Sequence, residues 1–262
     1  MTCYSLFKLI DYLITSANAY DENIFSVSSS DLIRDAIAGK HSLESERKVQ
    51  FIRSLLKADK RIIRVTDYGT GSGRRNAKKR KVSHIADGSS ISGKYCRLLS
   101  LFAEKYGGDC ILEFGTSLGI SALCMAVSNN NARVYTMEGC PVLSEIARNN
   151  FRRAGVENAE VLTGEFEKVL PEIEKKNLVP GLVFIDGNHR GDATLKYFNR
   201  MASISGRNTV IIIDDIYYSR GMGEAWQKIK TDSRIRAAID IYRMGIVFFT
   251  DEMPEGDYKI RY

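Results

Sequence analysis

The sequence predicts an α/β protein in which a mostly parallel sheet follows an all-helical N-terminal extension. Two observations carry this prediction. From residue 110 onward, short apolar strands alternate regularly with helices, and the last two strands are separated by only Met244 and Gly245. A two-residue connection is too short for a helical crossover, so these two strands must pair antiparallel. We place the extension at residues 1–87 and the α/β domain at residues 88–262.

The composition of the 262-residue chain is that of an ordinary globular protein, with 44% hydrophobic and 27% charged residues. No run approaches 18 apolar residues, and the N-terminus has neither a basic region nor a small-residue cleavage site. These features argue against a membrane span and a secretory signal, so we expect a cytoplasmic location. The net charge of +6 permits an anionic partner without requiring one.

The cysteines form no C-x-x-C pair, and their number is odd. Reduced thiols in a cytoplasmic protein are the simplest interpretation of this pattern, so we expect no disulfide. The five residues are Cys3, Cys96, Cys110, Cys124 and Cys140.

The N-terminal extension predicts three helices. Apolar residues recur at helical spacing between Leu6 and Ile14. Ser30 could cap a helix that ends near Ile37, and a third apolar stripe occupies residues 43–57. This part carries no recognisable chemistry. It could be a substrate lid, a homodimer contact or packing for the main domain, and we favour packing.

A basic segment follows the predicted strand at residues 61–68. It comes after a glycine-rich run at residues 69–73, but no amphipathic helix follows, so a mobile basic loop fits better than a phosphate cradle. Such a loop could attract an anionic substrate or a nucleic-acid backbone, or it could be a solvated surface. It lacks aromatic residues that would stack on bases. Its cations are Arg74, Arg75, Lys78, Lys79, Arg80 and Lys81.

The first strand of the α/β domain ends in a turn from Gly115 to Gly119, which leads into a helix. Backbone N–H groups and the helix dipole converge at such a turn, and this favours a ligand of the nucleotide type. A dinucleotide fingerprint would place glycines where Ser117 and Ile120 stand. The pattern present instead is E-x-G-x-x-x-G, beginning at Glu113.

Strands and crossover helices then alternate regularly. The predicted strands are residues 110–114, 132–137, 159–163, 181–185 and 209–213, with helices at 120–127, 142–154, 166–176, 192–201 and 222–231 and a final hairpin at 237–243 and 246–250. Acidic residues lie at or just beyond the C-terminal ends of the five parallel strands. That edge is where open α/β sheets bind their ligands. The acids are Glu113, Glu138, Glu165, Asp186, Asp214 and Asp215.

With the glycine turn, the strand-end acids and the closing hairpin taken together, residues 88–250 resemble the class I S-adenosylmethionine-dependent methyltransferases. Within them, the chain looks most like the small-molecule O-methyltransferases related to catechol O-methyltransferase. The resemblance implies a Rossmann-like sheet of seven strands, with an antiparallel last strand and helices on both faces. It also implies methyl transfer from S-adenosylmethionine to an oxygen of a small acceptor, which could be aromatic or catechol-like.

The resemblance assigns the cofactor to the glycine turn and to the following strand ends. In the family, the turn holds the methionine part, and the acid at the position of Glu138 binds both ribose hydroxyls. The position of Glu165 lies beside the adenine, although Asp is commoner there. A carboxylate suits a ribose diol because it accepts two charge-assisted hydrogen bonds. The implied cofactor residues are Glu113, Gly115, Thr116, Ser117, Gly119, Glu138, Gly139, Gly164, Glu165 and Asp186.

The resemblance also implies a divalent cation, Mg²⁺ or Mn²⁺, bound by Asp186, Asp214 and Asp215. Oxygen ligands suit such ions, and a bound cation would lower the pKa of the acceptor oxygens. The family usually carries Asn at the third position, so Asp215 adds a carboxylate. The alternative is a metal-free site in which Asp186 contacts the cofactor and Asp214 caps the next loop.

His189 stands where the catechol branch has a lysine base, three residues after the fourth-strand acid. Histidine titrates near neutrality, which suits a general base, so we predict His189 and Asp186 as catalytic residues. A helix-capping or surface histidine is the alternative. Tyr217, Tyr218 and Trp226 could wall an aromatic acceptor pocket, although packing explains each of them equally well.

Two other functions fit the sequence. An RNA or protein methyltransferase could use the basic residues 74–81 to hold an anionic macromolecule, although no NPPY-type motif follows Asp186. A non-catalytic partner subunit would bind the cofactor and methylate nothing.

Overall fold

The computed structural model describes residues 2–18, 28–40, 43–66, 77–250 and 253–262. The strands are β1 (Ala17–Asn18), β2 (Ile62–Thr66), β3 (Ala77–Lys81), β4 (Cys110–Phe114), β5 (Arg133–Glu138), β6 (Ala159–Thr163), β7 (Leu182–Ile185), β8 (Val210–Ile213), β9 (Ala237–Asp240), β10 (Gly245–Phe248) and β11 (Gly256–Arg261). The helices are α1 (Cys3–Thr15), α2 (Ser28–Ile37), α3 (Leu43–Ala58), α4 (Val82–Ser89), α5 (Gly93–Tyr106), α6 (Ile120–Ser128), α7 (Pro141–Ala154), α8 (Phe166–Glu174), α9 (Gly191–Ile204) and α10 (Arg220–Lys230). None of these helices is long and apolar enough to cross a membrane.

The large sheet has nine strands in the order β1-β11-β9-β10-β8-β7-β4-β5-β6. β10 is antiparallel to both of its neighbours, β8 and β9, and the other pairings in this sheet are parallel. The predicted α/β class and the antiparallel hairpin are therefore confirmed. The predicted number of seven strands is wrong, because β11 and β1 extend the sheet beyond β9.

The two additional strands lack the apolar pattern that revealed the others. β11 carries Asp257 and Lys259 and fully buries only Ile260, while β1 has just two residues. Polar strands of this kind occur near sheet edges, where charge discourages pairing with other chains. The hydroxyl of Tyr12 in α1 holds β11 in place by donating a hydrogen bond to the carbonyl oxygen of Ile260, at 2.6 Å.

Apolar side chains alternate between the two faces of the sheet and form a hydrophobic cluster on each. On β7, Leu182 and Phe184 belong to one cluster, and Val183 and Ile185 belong to the other. Helices α2 to α7 contribute to the first cluster, and α8 to α10 contribute to the second. Because helices cover both faces, the central strands are continuous apolar runs, as parallel strands generally are.

Helices α2 and α3 of the N-terminal extension pack into the same cluster as α5 and α6. Ile33, Ile52 and Leu56 are at most 3% exposed within it. α1 lies beside β11 instead, where Tyr12 is its buried apolar anchor. The division of the chain near residue 87 stays a prediction, and so do the lid and dimer roles of the extension.

Part of the basic segment is a strand. β2 and β3 pair antiparallel, with Arg64 opposite Lys79. The prediction of a mobile loop is therefore wrong for residues 78–81, because β2 supplies a partner that the run of charges did not reveal. Residues 69–76, which include the glycine-rich run, lie outside the described residues.

Cys96 and Cys124 form a disulfide that links α5 to α6. The expectation of free thiols is wrong for this pair. The two helices pack side by side, and their Cα atoms at these positions are 5.9 Å apart, a separation that a disulfide spans. Cys3, Cys110 and Cys140 carry free thiols, as expected.

Candidate active site

A cavity of about 910 Å³ lies at the C-terminal ends of strands β4 to β7. These strand ends meet because the strands are in register: Phe114 pairs with Met137 of β5 and with Ile185 of β7. The hairpin β2–β3 forms a further wall. The lining residues are Val65, Thr66, Lys78, Lys79, Arg80, Gly115, Ser117, Glu138, Gly139, Leu143, Glu165, Phe166, Glu167, Asp186, Gly187, Asn188, His189, Arg190, Tyr197 and Tyr218.

The glycine turn brings β4 into contact with the end of β7. Gly115 has φ of +102° and Gly119 has φ of +83°, both in the region that favours glycine. A Cβ atom at Gly115 would lie 2.2 Å from the backbone oxygen of Asp186, so only glycine fits there. The backbone N–H of Gly115 also donates a hydrogen bond to the carbonyl oxygen of Met137, at 3.0 Å. The turn therefore lies against the ends of both neighbouring strands.

Glu138, at the end of β5, lies on the cavity wall beside Gly139. Its two carboxylate oxygens accept hydrogen bonds from the backbone N–H groups of Ser117 and Cys140, both at 2.8 Å. These bonds fix the orientation of the carboxylate. Each carboxylate oxygen can accept more than one hydrogen bond, so Glu138 is suited to bind a diol as well.

Glu113 lies behind the turn and not on the cavity wall. It is 0% exposed, the hydroxyl of Thr136 donates a hydrogen bond to Oε2, and Oε1 has no partner among the described residues. Burial raises the pKa of this carboxyl to about 7; the charge of Glu138 adds to the rise, and the hydrogen bond from Thr136 opposes it. Three other predicted cofactor residues also lie outside the cavity lining: Thr116, Gly119 and Gly164.

An aromatic wall that we did not predict follows β6. The Phe166 ring lies beside Glu165 in the lining and packs edge-on against Phe114 and Tyr197, with centroids 5.5 Å apart in both pairs. Asn188 donates a hydrogen bond to the hydroxyl of Tyr197, at 3.2 Å. A fixed aromatic ring on a cavity wall can stack against the flat face of a nucleobase. Phe166 directly follows the strand-end acid Glu165, and that position was the available signal.

Asp186 and His189 lie together on the wall beyond β7. His189 Nε2 is 3.7 Å from Asp186 Oδ1, and the imidazole centroid is 5.6 Å from that of Tyr218. Burial, and then the neighbouring carboxylates of Asp214 and Asp215, raise the pKa of Asp186 well above its usual range. His189 has φ of +30°. Such left-handed conformations of non-glycine residues cluster at functional sites.

Asp214 and Asp215 follow β8 but do not line the cavity. Asp214 is 1% exposed, and both of its carboxylate oxygens accept hydrogen bonds from Arg243, at 3.0 and 2.8 Å. A cation bound to Asp214 would have to lie beside the positive charge of the Arg243 guanidinium, which repels it, so the donor set predicted for a divalent cation does not fit such an ion. In the part of the chain that the structure describes, no group of three or more His, Cys, Asp or Glu side chains could hold a metal.

Of the three aromatic residues considered for the acceptor pocket, Tyr218 lines the cavity. Tyr217 is buried and donates a hydrogen bond from its hydroxyl to Asp240, and Trp226 is 1% exposed in the hydrophobic cluster of α8 to α10. Packing, the alternative that the sequence left open, therefore accounts for Tyr217 and Trp226.

The known proteins that match this chain are methyltransferases, and they include catechol O-methyltransferases, protein-L-isoaspartate O-methyltransferases and uncharacterized RNA methyltransferases. Residues 112–216 match a family model described as a methyltransferase domain. A catechol O-methyltransferase from Niastella koreensis is 29% identical over 48% of this chain and 58% of its own length. The catechol O-methyltransferase from Mycobacterium tuberculosis is 30% identical over 51% of this chain and 60% of its own length. Each match thus covers less than two thirds of the relative.

Solved structures agree with these matches. An O-methyltransferase from Bacillus cereus in complex with SAH (S-adenosylhomocysteine) has a TM-score of 0.54 to this chain and is 25% identical to it, covering 62% of this chain and 83% of its own. The matched region contains the end of β4, strands β5 to β8, the glycine turn and the cavity-lining acids. Residues 112–216 thus match a methyltransferase domain, and the chain is similar in sequence and fold to S-adenosylmethionine-dependent O-methyltransferases, in agreement with the resemblance.

Proposed function

We propose that this protein transfers the methyl group of S-adenosylmethionine to an oxygen of a small acceptor. One observation carries the proposal: a single cavity holds the backbone-anchored carboxylate of Glu138 at the glycine turn and the His189–Asp186 pair beyond β7. The first can bind a cofactor, and the second can remove a proton. A methyltransferase needs both groups in one place, because its main tasks are alignment and proton removal.

The residues present fit the cofactor. Glu138 would accept hydrogen bonds from the ribose hydroxyls, and the backbone from Gly115 to Ser117 would hold the methionine part. Gly139, Glu165 and Phe166 would surround the adenine. When bound, S-adenosylmethionine would supply a methyl group on a sulfonium, which a nucleophilic oxygen can accept with neutral S-adenosylhomocysteine as the leaving group.

His189 is the proposed general base. It accepts the proton of the acceptor hydroxyl while that oxygen forms its bond to the methyl carbon and the carbon–sulfur bond breaks. The carboxyl of Asp186 lies 3.7 Å away, and its ionised form stabilises the protonated imidazole. A base of this kind accelerates a reaction by roughly 10²–10⁴-fold. Assistance by a divalent cation is not part of the proposed mechanism, because Arg243 binds both oxygens of Asp214.

We further propose that the acceptor carries an anionic group. Lys78 and Lys79 lie on the cavity wall, and neither forms an ion pair with a carboxylate of a described residue. Lysines at the wall of a cavity raise the local concentration of anions. The cavity volume of about 910 Å³ suits a cofactor together with a small acceptor, which favours such an acceptor over the RNA or protein considered from the sequence. A homodimer and a cytoplasmic location stay predictions.

Two variants test the function separately. Glu138→Gln removes the charge that would bind the ribose, so calorimetry should show S-adenosylmethionine binding weakened by about tenfold or more. His189→Gln should keep that affinity and lower turnover of a catechol panel, measured as S-adenosylhomocysteine formed, by roughly 10²-fold or more.

Glu145→Gln is the matched control for charge, because Glu145 is exposed on α7, and His84→Gln is the matched control for an exposed histidine. Undiminished affinity in Glu138→Gln would contradict the cofactor assignment. Normal turnover in His189→Gln would contradict the base. Cofactor binding with no methylation of any acceptor would favour the non-catalytic subunit.

A further inference from the structure

The structure assigns Arg243 as the built-in cation of this site. We infer that its guanidinium takes the place of a divalent ion among the strand-end carboxylates, so that the protein needs Arg243 and no metal. The link to turnover rests on the proposed function, whereas the link to metal binding does not.

The guanidinium binds the more buried of the two acids that follow β8 through two parallel hydrogen bonds. Arg243 Nε donates to Asp214 Oδ1 at 3.0 Å, and Nη2 donates to Oδ2 at 2.8 Å. This fork geometry is the strongest arrangement between arginine and a carboxylate. Nε is also 3.8 Å from Asp215 Oδ1, so one cation serves two acids.

The surrounding chain holds Arg243 in this position. Arg243 lies in the turn between β9 and β10, and β10 pairs with β8, whose end carries Asp214. The carbonyl oxygen of Arg243 accepts a hydrogen bond from the backbone N–H of Ile216, at 3.2 Å. Its guanidinium lies 5.1 Å from the centre of the Tyr95 ring. The cation is therefore fixed before any ligand binds.

The charges explain why the sequence departs from the family pattern at Asp215. Asn at that position would leave two acids, Asp186 and Asp214, to share a divalent ion. Here Asp215 adds a third carboxylate, and the guanidinium of Arg243 adds a compensating positive charge close to it. A divalent ion would have to bind next to this guanidinium, which stays charged in proteins, and would have to share both oxygens of Asp214 with it.

Direct metal titration tests this inference without cofactor or acceptor. Electron paramagnetic resonance of Mn²⁺ should show no site in the wild-type protein that depends on Asp214. Arg243→Gln frees both oxygens of Asp214 and removes the repelling charge, so it should bind Mn²⁺ at least about tenfold more tightly than the wild type. Adding Asp214→Asn should abolish the gain. Turnover should be insensitive to EDTA in the wild type and reduced in Arg243→Gln.

Arg234→Gln is the matched control, because Arg234 forms the same two-bond fork with Asp232, at 2.8 and 2.7 Å, away from the cavity lining. It should gain no comparable Mn²⁺ site. If Arg243→Gln fails to fold, Mn²⁺ titrations of Arg243→Lys and of the wild-type protein still test the inference.

Mn²⁺ bound by the wild-type protein and lost in Asp214→Asn would overturn the inference. So would a folded Arg243→Gln variant with no gain in Mn²⁺ binding. If the wild-type protein does not bind the cofactor, this would instead contradict the proposed function, and the result of the metal titration would still stand.

Discussion

Glu138 and Asp214 follow strands of the same sheet edge, yet different kinds of partner hold their carboxylates. Glu138 accepts hydrogen bonds from two backbone N–H groups and lines the cavity. Asp214 is 1% exposed and accepts both of its bonds from the side chain of Arg243. Backbone amides orient a carboxylate without adding a formal charge, whereas a guanidinium also balances the charge of the carboxylate that it binds. Carboxylates at one sheet edge can thus either line a cavity or form a buried ion pair.

The largest expected effect comes from a substitution in the glycine turn, on which the position of Glu138 depends. Gly115→Ala places a Cβ atom 2.2 Å from the backbone oxygen of Asp186 at a φ of +102°. The Cβ position is fixed by the backbone of residue 115 and the oxygen belongs to the backbone of Asp186, so neither atom can rotate away and the strands must separate. We expect a loss of unfolding free energy on the order of 3 kcal/mol, measured by urea unfolding. Cofactor affinity should fall with it.

Gly93→Ala is the control for this change, because a Cβ atom at Gly93 would meet nothing within 4 Å. Its stability and cofactor affinity should match those of the wild type. A Gly115→Ala variant as stable as Gly93→Ala would show that the turn can move away from β7, and the contact between the two loops would then not define the cavity.

The part of the site around the glycine turn and Glu138 could be predicted from the sequence, because the strand, the turn and the acid are close together in the chain. β4 and β6 have the bounds that the apolar runs predicted, and Glu138, Glu165 and Asp186 do lie on one cavity. The sequence did not reveal that Glu113 lies outside the cavity lining, because the pattern E-x-G fixes its position at a strand end but not the direction of its side chain.

The side held by Arg243 could not be predicted. Arg243 lies 29 positions after Asp214, and only the antiparallel pairing of β10 with β8 brings the two together. β11 and the pairing of β3 with β2 were missed for a related reason. Their residues are mostly polar or charged, so the partner strand, and not local apolar spacing, determines the structure.

Glu113 offers an effect of comparable size that depends on pH, because among the described residues this acid has neither a guanidinium nor two backbone donors as partners. Its folded-state pKa, about 7, lies above the ordinary value of 4.5. The folded protein therefore holds this proton more tightly than the unfolded chain does. The stability this provides is complete below about pH 4.5 and is lost as the pH rises to about 7.

Glu113→Gln cannot ionise, so the variant should escape that loss. The unfolding free energy of the variant minus that of the wild type should rise by about 3 kcal/mol between pH 4.5 and pH 7, measured by urea unfolding across this range. Glu145→Gln, at an exposed position, should give a flat difference. A flat difference for Glu113→Gln as well would mean that the carboxyl ionises at its ordinary pH despite its burial.

The smallest expected effect concerns the hairpin β2–β3, whose lysines give the cavity wall a positive charge in contrast to the carboxylates at the strand ends. Changing Lys78→Gln and Lys79→Gln together should lower kcat/KM for 3,4-dihydroxybenzoate by about threefold to tenfold and leave catechol unchanged, because solvent-exposed charges interact weakly. If neither compound is turned over, the same ratio can be measured from their affinities for the S-adenosylhomocysteine complex. Lys57→Gln with Lys60→Gln, at exposed positions outside the cavity lining, is the matched control. An equal fall for both acceptors would place the lysines near the cofactor instead, because cofactor binding is common to both reactions.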